Sequence, residues 1–487
     1  MDSSMESDRR DTQSAPSVCV VVVNWNKKQD LLRLLTLLHR LDYSHFKIVV
    51  VDNASNDGSP DAVREAFPSS VTLLETGSNL GGTGGFNVGM DYGIQNEFDF
   101  LWLLDNDAIV ETDSLKNLVS AALSSPEVGI VGSRILNAED PSFLVKLGAN
   151  IDWKYGHVRS VMQNARDREM SARFLNVDYV PFCSALISRR CVLQTGPLDE
   201  RFFLYWDDSD FCIRAGKAGF RTIVALSSRV YHPSFTEKGR SQNYYLVRNT
   251  FLFFAKHLQG LNFFTTISHV LSRFFKMAVF AKLTDDSQSY AVIKGGVFDF
   301  LYGRFGRIVR SLPSFGSNVK SVSVPWDDFS GQRVIVTTDA SVDVVRSIVK
   351  HLLSSKSKSV TVAVPDSRLQ LLNDLEVDFL VLNDSRSNLF TEHVRMFVRI
   401  LRNNYDSLII SQGTSPFGFA CRHTFLFDPL SDHLSAVSHV RKRMYVPVLS
   451  LLLSYILLVL VLPFVLWRGH KICRKDLLSK GFGGERQ

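Results

Sequence analysis

The feature that most constrains this chain is a unit repeated in its first 105 residues: a short apolar run, a polar end, then a helical pattern. The strand candidates are VCVVVVNW (Val18 to Trp25), FKIVVVD (Phe46 to Asp52), VTLLET (71–76) and FDFLWLLD (98–105). Runs this short and this apolar suit strands buried on both faces of a parallel sheet. Between the first two, Leu31, Leu34, Leu35, Leu38 and Leu41 recur at helical spacing. Between the last two, a glycine-rich turn leads into a helix predicted over about 86–97. The alternation predicts a mostly parallel sheet with helices on both faces. Ligands of such sheets gather beyond the carboxyl ends of the strands. That is where this chain puts Asn24-Trp25-Asn26, Asp52-Asn53 and Asp105-Asn106-Asp107.

At 487 residues the chain exceeds one ordinary core, so two or three domains are expected. A 45% hydrophobic and 21% charged composition is that of a folded protein. The net charge of +6 comes with no Lys/Arg patch interleaved with aromatics, which excludes nucleic acid as the partner. Cys19, Cys183, Cys191, Cys212, Cys421 and Cys473 form no CxxC pair, so they read as free thiols in a reducing compartment, not a disulfide framework or zinc site. Residues 1–16 are polar and lack the apolar core of a signal peptide; they read as a disordered tail, with the folded part starting in the cytosol.

Further along, residues 256–315 form an aromatic and basic helical region. Its 261–283 stretch interleaves apolar residues with His269, Arg273, Lys276 and Lys282. A helix lying in a membrane interface and a helix packed through its apolar face fit equally well. A second series of strand candidates, 333–338, 360–364, 378–383 and 407–411, points to a small α/β domain over 316–440, of no legible role. Met444 to Trp467 carries 24 uncharged residues, long enough at about 1.5 Å rise per residue for a membrane helix. Pro447 and Pro463 also allow a bent, monotopic insertion, and a basic tail, 468–487, follows.

Three local patterns carry chemistry. Asp105 and Asp107 would aim two carboxylates at one divalent ion, which can neutralise a departing diphosphate. The triplet alone is a weak signal, strengthened by following the buried run FLWLL. The loop SNLGGTGGFNVGM (78–90) allows close backbone approach to an anion at a helix start, or simply a tight turn. Asp207, Asp208 and Asp210 open a predicted helix, and three carboxylates so close demand a ligand, a metal or a proton. One of them could serve as general base toward an acceptor hydroxyl. His232 stands at a strand end and is a metal ligand only in that company.

Taken in order, VVVNWN, VDNAS, NLGGTGGFNVG, LLDND, VDYVPFCSALISR, LDERFFLYWDDSDFCIRAGKAGF, VYHPSF and YYLVRN resemble family 2 glycosyltransferases of GT-A fold, on the branch of galactofuranosyl- and rhamnosyltransferases. The resemblance covers about residues 16–255 and implies a GT-A domain over 17–255. It implies that Asn24, Trp25, Asn26, Asp52 and Asn53 line a nucleotide pocket, and that Asn79, Gly81 and Gly82 border the donor diphosphate, with Asn106 hydrogen-bonding the donor. It further implies that Asp105, Asp107 and His232 hold Mn²⁺ or Mg²⁺, that Asp208 is the base and that Asp207 orients the acceptor. Asn106 departs from the third Asp that relatives often carry.

The implied reaction is an inverting transfer from a nucleotide-diphosphate sugar to a glycan. Donor selectivity would rest on residues such as Trp153, Phe182 and Tyr205. A lipid-linked acceptor, with the enzyme at the cell membrane, follows from the 444–467 run; basic residues on both sides of the run leave its orientation open, and the catalytic domain is expected on the cytoplasmic side because residues 1–16 lack a signal peptide's apolar core. A homo-oligomer is compatible with this reading. A sugar nucleotidyltransferase would place a Gly-rich, Arg-containing loop where Asn24-Trp25-Asn26-Lys27 stand. A non-catalytic scaffold would have no use for Asp105, Asp107, Asp208 and His232 together.

Overall fold

The computed structural model describes residues 15–163, 165–233, 240–283, 287–308, 325–338, 342–365, 372, 375–382, 405–411, 423–428, 433–436 and 463. The chain divides into two compact units: residues 1–150, 159–161 and 167–235, and residues 151–158, 162–166 and 236–487.

The first unit begins with β1 (Val18–Asn24), α1 (Lys28–Leu38), β2 (Phe46–Asp52), α2 (Ser59–Ala66), β3 (Val71–Glu75), α3 (Gly81–Gln95) and β4 (Phe100–Asp105). It continues with β5 (Ile109–Val110), α4 (Ser114–Ala122), β6 (Val128–Asn137) and β7 (Leu144–Lys146); β8 (Ala149–Asp152) and β9 (His157–Ser160) form a separate two-stranded ribbon whose residues are divided between the two units. Then come β10 (Phe174–Asn176), β11 (Ser184–Ser188), α5 (Arg189–Thr195), α6 (Asp207–Lys217) and β12 (Arg221–His232). The main sheet runs β10-β12-β6-β11-β4-β1-β2-β3, with β5 on β12 and β7 on β6. The β3-β2-β1-β4 half is parallel, while β11 runs against both β4 and β6.

Each predicted strand of this half is present, and Val18, Val20, Val21 and Val22 of β1 are buried because the strand is central. The chain moves from β1 to β2 and β3 on one side and returns to β4 on the other. The β1/β4 boundary is therefore the switch point where the ends of an open sheet leave a crevice.

One boundary differs from the expectation: α3 starts at Gly81, not near residue 86. The glycines are helical because they let the helix sit unusually close to the sheet. A Cβ on Gly85 would lie 2.6 Å from Val23, one on Gly89 would lie 2.1 Å from Val21, and one on Gly93 would lie 2.1 Å from Leu101. Close packing thus outweighs a helix propensity about 1 kcal/mol per glycine below that of alanine.

Buried hydroxyls fasten the far half of the sheet. Trp102 Nε1 donates to Ser184 Oγ, Ser133 Oγ bridges Ser184 and Ser228, and Ser228 donates to the Ser114 carbonyl. Ser228 lies in the irregularity between Ala225 and Arg229 where β12 shifts register before delivering His232. Such a bulge redirects the rest of its strand.

The second unit contains α7 (Arg240–His257), α8 (Gly260–Leu283) and α9 (Ser287–Tyr302), then β13 (Arg333–Thr338), α10 (Val342–Ser354), β14 (Ser359–Pro365), β15 (Asp378–Leu382), β16 (Ser407–Ser411), β17 (His423–Asp428) and β18 (His433–Ala436). Phe263, Ile267, Val270 and Phe274 bury one face of α8, and Phe274 and Phe300 both meet the Phe251 ring. These contacts favour the packed-helix reading of 261–283. The second sheet has the order β15-β14-β13-β16-β17-β18, parallel except for β18. Its last two strands were not anticipated. Among the described residues no helix is long and apolar enough to cross a membrane. The 444–467 run, apart from Pro463, lies outside the described residues, as do residues 1–14 of the tail and all of 468–487.

Candidate active site

The strand ends of β1, β2 and β4 are joined side chain to side chain. Asn106 Nδ2 donates to Asn24 Oδ1 at 2.8 Å, and Asn24 Nδ2 donates to Asp52 Oδ1 at 3.0 Å and Ser55 Oγ at 3.2 Å. Asp52 Oδ2 accepts the Ser55 N–H, and Ser55 Oγ accepts that of Asn26. Asn53 Nδ2 donates to the Gly81 carbonyl, and Asn79 Oδ1 accepts the Gly81 N–H. Asn24, Asp52 and Asn53 are buried, so in this structure they brace the loops around the crevice. Trp25 is 52% exposed and offers its ring to solvent. Gly81, at φ +75°, is closed in by Phe203, whose carbonyl would lie 2.1 Å from an added Cβ; Gly82 has more room. Ser55 and Thr83 were missed by the sequence reading, since a single hydroxyl in a loop carries no pattern.

Asp105, Asp107 and His232 come together although the histidine is far from the aspartates along the chain. His232 Nε2 lies 3.2 Å from Asp107 Oδ1 and 3.5 Å from Asp105 Oδ2. One ligand atom from each falls within 4.8 Å of the others. His232 Nδ1 is 2.7 Å from the Pro233 carbonyl, which can only accept, so Nδ1 carries a proton and Nε2 is the atom turned to the carboxylates. The set is mixed O and N, backed by a hydrogen bond that fixes the imidazole, and it fits a divalent cation. Without an ion the same field attracts a proton. Burial would lower the His232 pKa, but Asp105 and Asp107 outweigh it and push it up to about 10. Burial would raise Asp107, yet His232 and Lys27 bring it below the usual carboxylate range.

The tri-aspartate start of α6 separates into three environments. Asp210, fully buried, accepts from Arg214 Nε at 2.8 Å, while the same guanidinium donates to the carbonyls of Thr195 and Pro197. It is structural. Asp207 is 9% exposed and accepts from Thr83 Oγ1 at 2.9 Å. Burial, then the neighbouring Asp208 charge, push its pKa up to about 7. Asp208 is more open, and its Oδ1 accepts the N–H and Oγ–H of Ser209. Tyr205 is half-buried; burial, then the charges of Asp105, Asp207 and Asp208, raise its phenol, which places it among the carboxylates of both clusters. The loop that carries it is strained, with Phe203, Tyr205 and Trp206 all at positive φ. Of the other selectivity candidates, Phe182 packs edge-on against Phe211, and Trp153 stacks on Phe253 inside the second unit.

A mostly parallel α/β sheet with a cation-competent cluster at its switch point and a carboxylate pair on α6 has the make-up of a nucleotide-sugar transferase of GT-A type. Residues 15–249 match the family model described as Glycosyltransferase like family 2. It is 25% identical over 245 residues to Galactofuranosyltransferase GlfT2 of Mycolicibacterium smegmatis, covering 46% of this chain and 37% of that protein. It is 26% identical over 261 residues to N-acetylglucosaminyl-diphospho-decaprenol L-rhamnosyltransferase of Mycobacterium tuberculosis, covering 50% and 85%. The match spans less than half the length of the GlfT2 proteins, 37% in one and 43% in another. Among solved structures, a mannosyltransferase from Pyrobaculum calidifontis in complex with GDP-Man and Mn²⁺ is 17% identical over 60% of this chain and 89% of that one, with a TM-score of 0.40.

Proposed function

We propose that this chain is an inverting, metal-dependent glycosyltransferase that moves a galactofuranose- or rhamnose-like sugar from a nucleotide diphosphate to a hydroxyl of a glycan. The observation that carries the reading is the pairing of Asp105, Asp107 and His232 with a separate carboxylate pair, Asp207 and Asp208, all of them in the first unit.

Mn²⁺ or Mg²⁺ held by Asp105, Asp107 and His232 would supply Lewis-acid neutralisation of the leaving diphosphate. Asp208, the more open carboxylate, takes the proton of the acceptor hydroxyl. The oxygen then attacks the anomeric carbon as its bond to the diphosphate oxygen breaks, which inverts that carbon. Asp207, held by Thr83 and protonated more readily than its neighbour, orients the acceptor as a hydrogen-bond donor. Asn24, Asp52 and Asn53 keep the loops around the nucleotide in place, Trp25 offers a face to the base, and Asn79, Gly81 and Gly82 border the diphosphate.

The names of the relatives, one of them acting on a diphospho-decaprenol, support a lipid-linked acceptor. The 444–467 sequence run supports a site at the cell membrane. The test is transfer from UDP- and dTDP-linked sugars by the full chain, with and without EDTA. Loss of activity on chelation and in Asp208→Asn is expected. Transfer that ignores EDTA, or survives Asp208→Asn, would refute the mechanism. The membrane part fails if protein ending near residue 430 acts as well on lipid-linked acceptors as the intact chain.

A further inference from the structure

The proposed reaction depends on Asp207 and Asp208, and the backbone that delivers them is under strain. Phe203, Tyr205 and Trp206 stand at φ +63°, +65° and +69°, left-handed values that residues with a Cβ rarely adopt. Trp206 immediately precedes α6, and its carbonyl accepts the Asp210 N–H at 2.8 Å. The turn therefore ends where the helix bearing both carboxylates begins. Such a turn persists only where its surroundings hold it.

The first residues of α3 provide that hold. Thr83, fully buried, reaches both ends of the turn: its N–H donates to the Phe203 carbonyl at 3.3 Å, and its hydroxyl donates to Asp207 Oδ2 at 2.9 Å. Two residues earlier, Gly81 leaves the space that Phe203 fills. A Cβ on Gly81 would lie 2.1 Å from the Phe203 carbonyl oxygen and 2.7 Å from its ring. Gly81 is itself at φ +75°, where glycine pays no steric penalty. Its N–H is given to Asn79 Oδ1 and its carbonyl accepts from Asn53 Nδ2, so both of its polar groups are engaged within the chain. Gly82 differs: a Cβ there would meet Leu204 Cδ1 at 3.7 Å, an ordinary contact.

We propose that Thr83 and Gly81 are positioning residues for the transfer. Thr83 clips the strained turn at both ends, Gly81 makes room for it, and together they fix where Asp207 and Asp208 stand at the start of α6. The proposal rests on those two carboxylates serving the acceptor. It gives the glycine-rich loop a task on the acceptor side of the reaction, exerted through the turn that it seats.

Two measurements on the full chain test this. The first needs no turnover: amide hydrogen exchange, read by mass spectrometry on peptides covering residues 203–208. Thr83→Val and Gly81→Ala should speed exchange there by about tenfold, the effect of one lost hydrogen bond on local opening. Thr83→Ser should stay near wild type, and Gly82→Ala should leave exchange in the turn unmoved. The second is transfer from the UDP- and dTDP-sugar panel with Mn²⁺. Thr83→Val and Gly81→Ala should lower kcat by about 10²-fold, as a misplaced reacting group does, while the donor KM holds. Thr83→Ser should restore most of the loss, which a general weakening of the fold would not explain. If Gly81→Ala fails to fold, Thr83→Val, which preserves the buried volume, carries both measurements. Exchange unmoved in Thr83→Val, or a kcat that holds in it while the donor KM rises, overturns the proposal. Full transfer by Asp208→Asn overturns the base assignment instead, a failure that exchange over 203–208 does not share.

Discussion

Asn106 is the residue at which this triplet departs from an all-aspartate pattern, and its hydrogen bonds say what an aspartate would do there. Asn106 Nδ2 is the donor for Asn24 Oδ1, while the Asn24 amide is committed to Asp52 and Ser55. In Asn106→Asp an ionised carboxylate faces that carbonyl oxygen. Asn24 cannot turn over to help, because its oxygen would then face Asp52. The lost bond leaves a buried acceptor without its donor, at about 1–3 kcal/mol. The added charge beside Asp105 and Asp107 brings the total to about 2–4 kcal/mol. For a unit of this size that is a fall in Tm of roughly 5–15 °C. The introduced carboxyl, when protonated, can donate as the Asn106 amide does, so its folded pKa lies above the unfolded value. The native interaction is then present below the ordinary carboxylate range and lost as pH rises through the raised value. Calorimetry in EDTA at pH 5 and pH 8 should show a small deficit at the lower pH and the full one at the higher. A Tm at pH 8 within a degree of wild type would refute the role of Asn106. Equal deficits at both pH values would refute the charge argument.

Asp207 carries a pKa raised to about 7, so its contribution to stability is present below the unfolded carboxylate value and lost as pH rises toward 7. The Tm advantage of Asp207→Asn over wild type should therefore grow from pH 4 to pH 7 and level off above, with a ceiling of about 4 kcal/mol; an advantage independent of pH would contradict this. Asp210→Ala removes the partner of a mostly buried guanidinium and should cost about 3–5 kcal/mol in urea unfolding, while Mn²⁺ binding by the folded protein is unchanged. Gly89→Ala gains helix propensity of about 1 kcal/mol yet forces α3 off Val21, so melting should show a net loss; a stabilised variant would mean the helix has room that the geometry denies it.

The strands of the first sheet were legible because β1, β2 and β4 are buried on both faces, and burial writes itself as an unbroken apolar run. The start of α3 was not. Glycine signals that a Cβ is unwelcome without saying whether the obstacle is a ligand, a turn or a sheet, and Gly85, Gly89 and Gly93 answer to the sheet. β17 and β18 escaped; β18, of four residues, carries too few alternations to stand out. In the site, Asp105, Asp107 and His232 were readable as residue types at strand ends, and their meeting is explained by the antiparallel pairing of β12 with β5, which sets Tyr231 opposite Ile109.

The aspartates of α6 show why a constellation can be noticed in a sequence before its members can be given roles. Positions 207, 208 and 210 have the same side chain, lie within one helical turn and share the same dipole. What distinguishes them is what the rest of the chain presents to each. Arg214, one turn on, cancels the charge of Asp210. Thr83, at the start of the glycine-lined helix, holds Asp207 where burial and the charge beside it favour a proton. Ser209 donates both its N–H and its hydroxyl to Asp208 and favours its negative form. Three carboxylates that would repel one another in the unpacked helix thus come to stand in three settings: one in an ion pair, one where a proton is favoured, and one accepting from Ser209. The close seating of α3 on the sheet belongs to that arrangement, because it carries Thr83. A substitution that shifts α3, such as Gly89→Ala, should reach the carboxylate pair as well as the core.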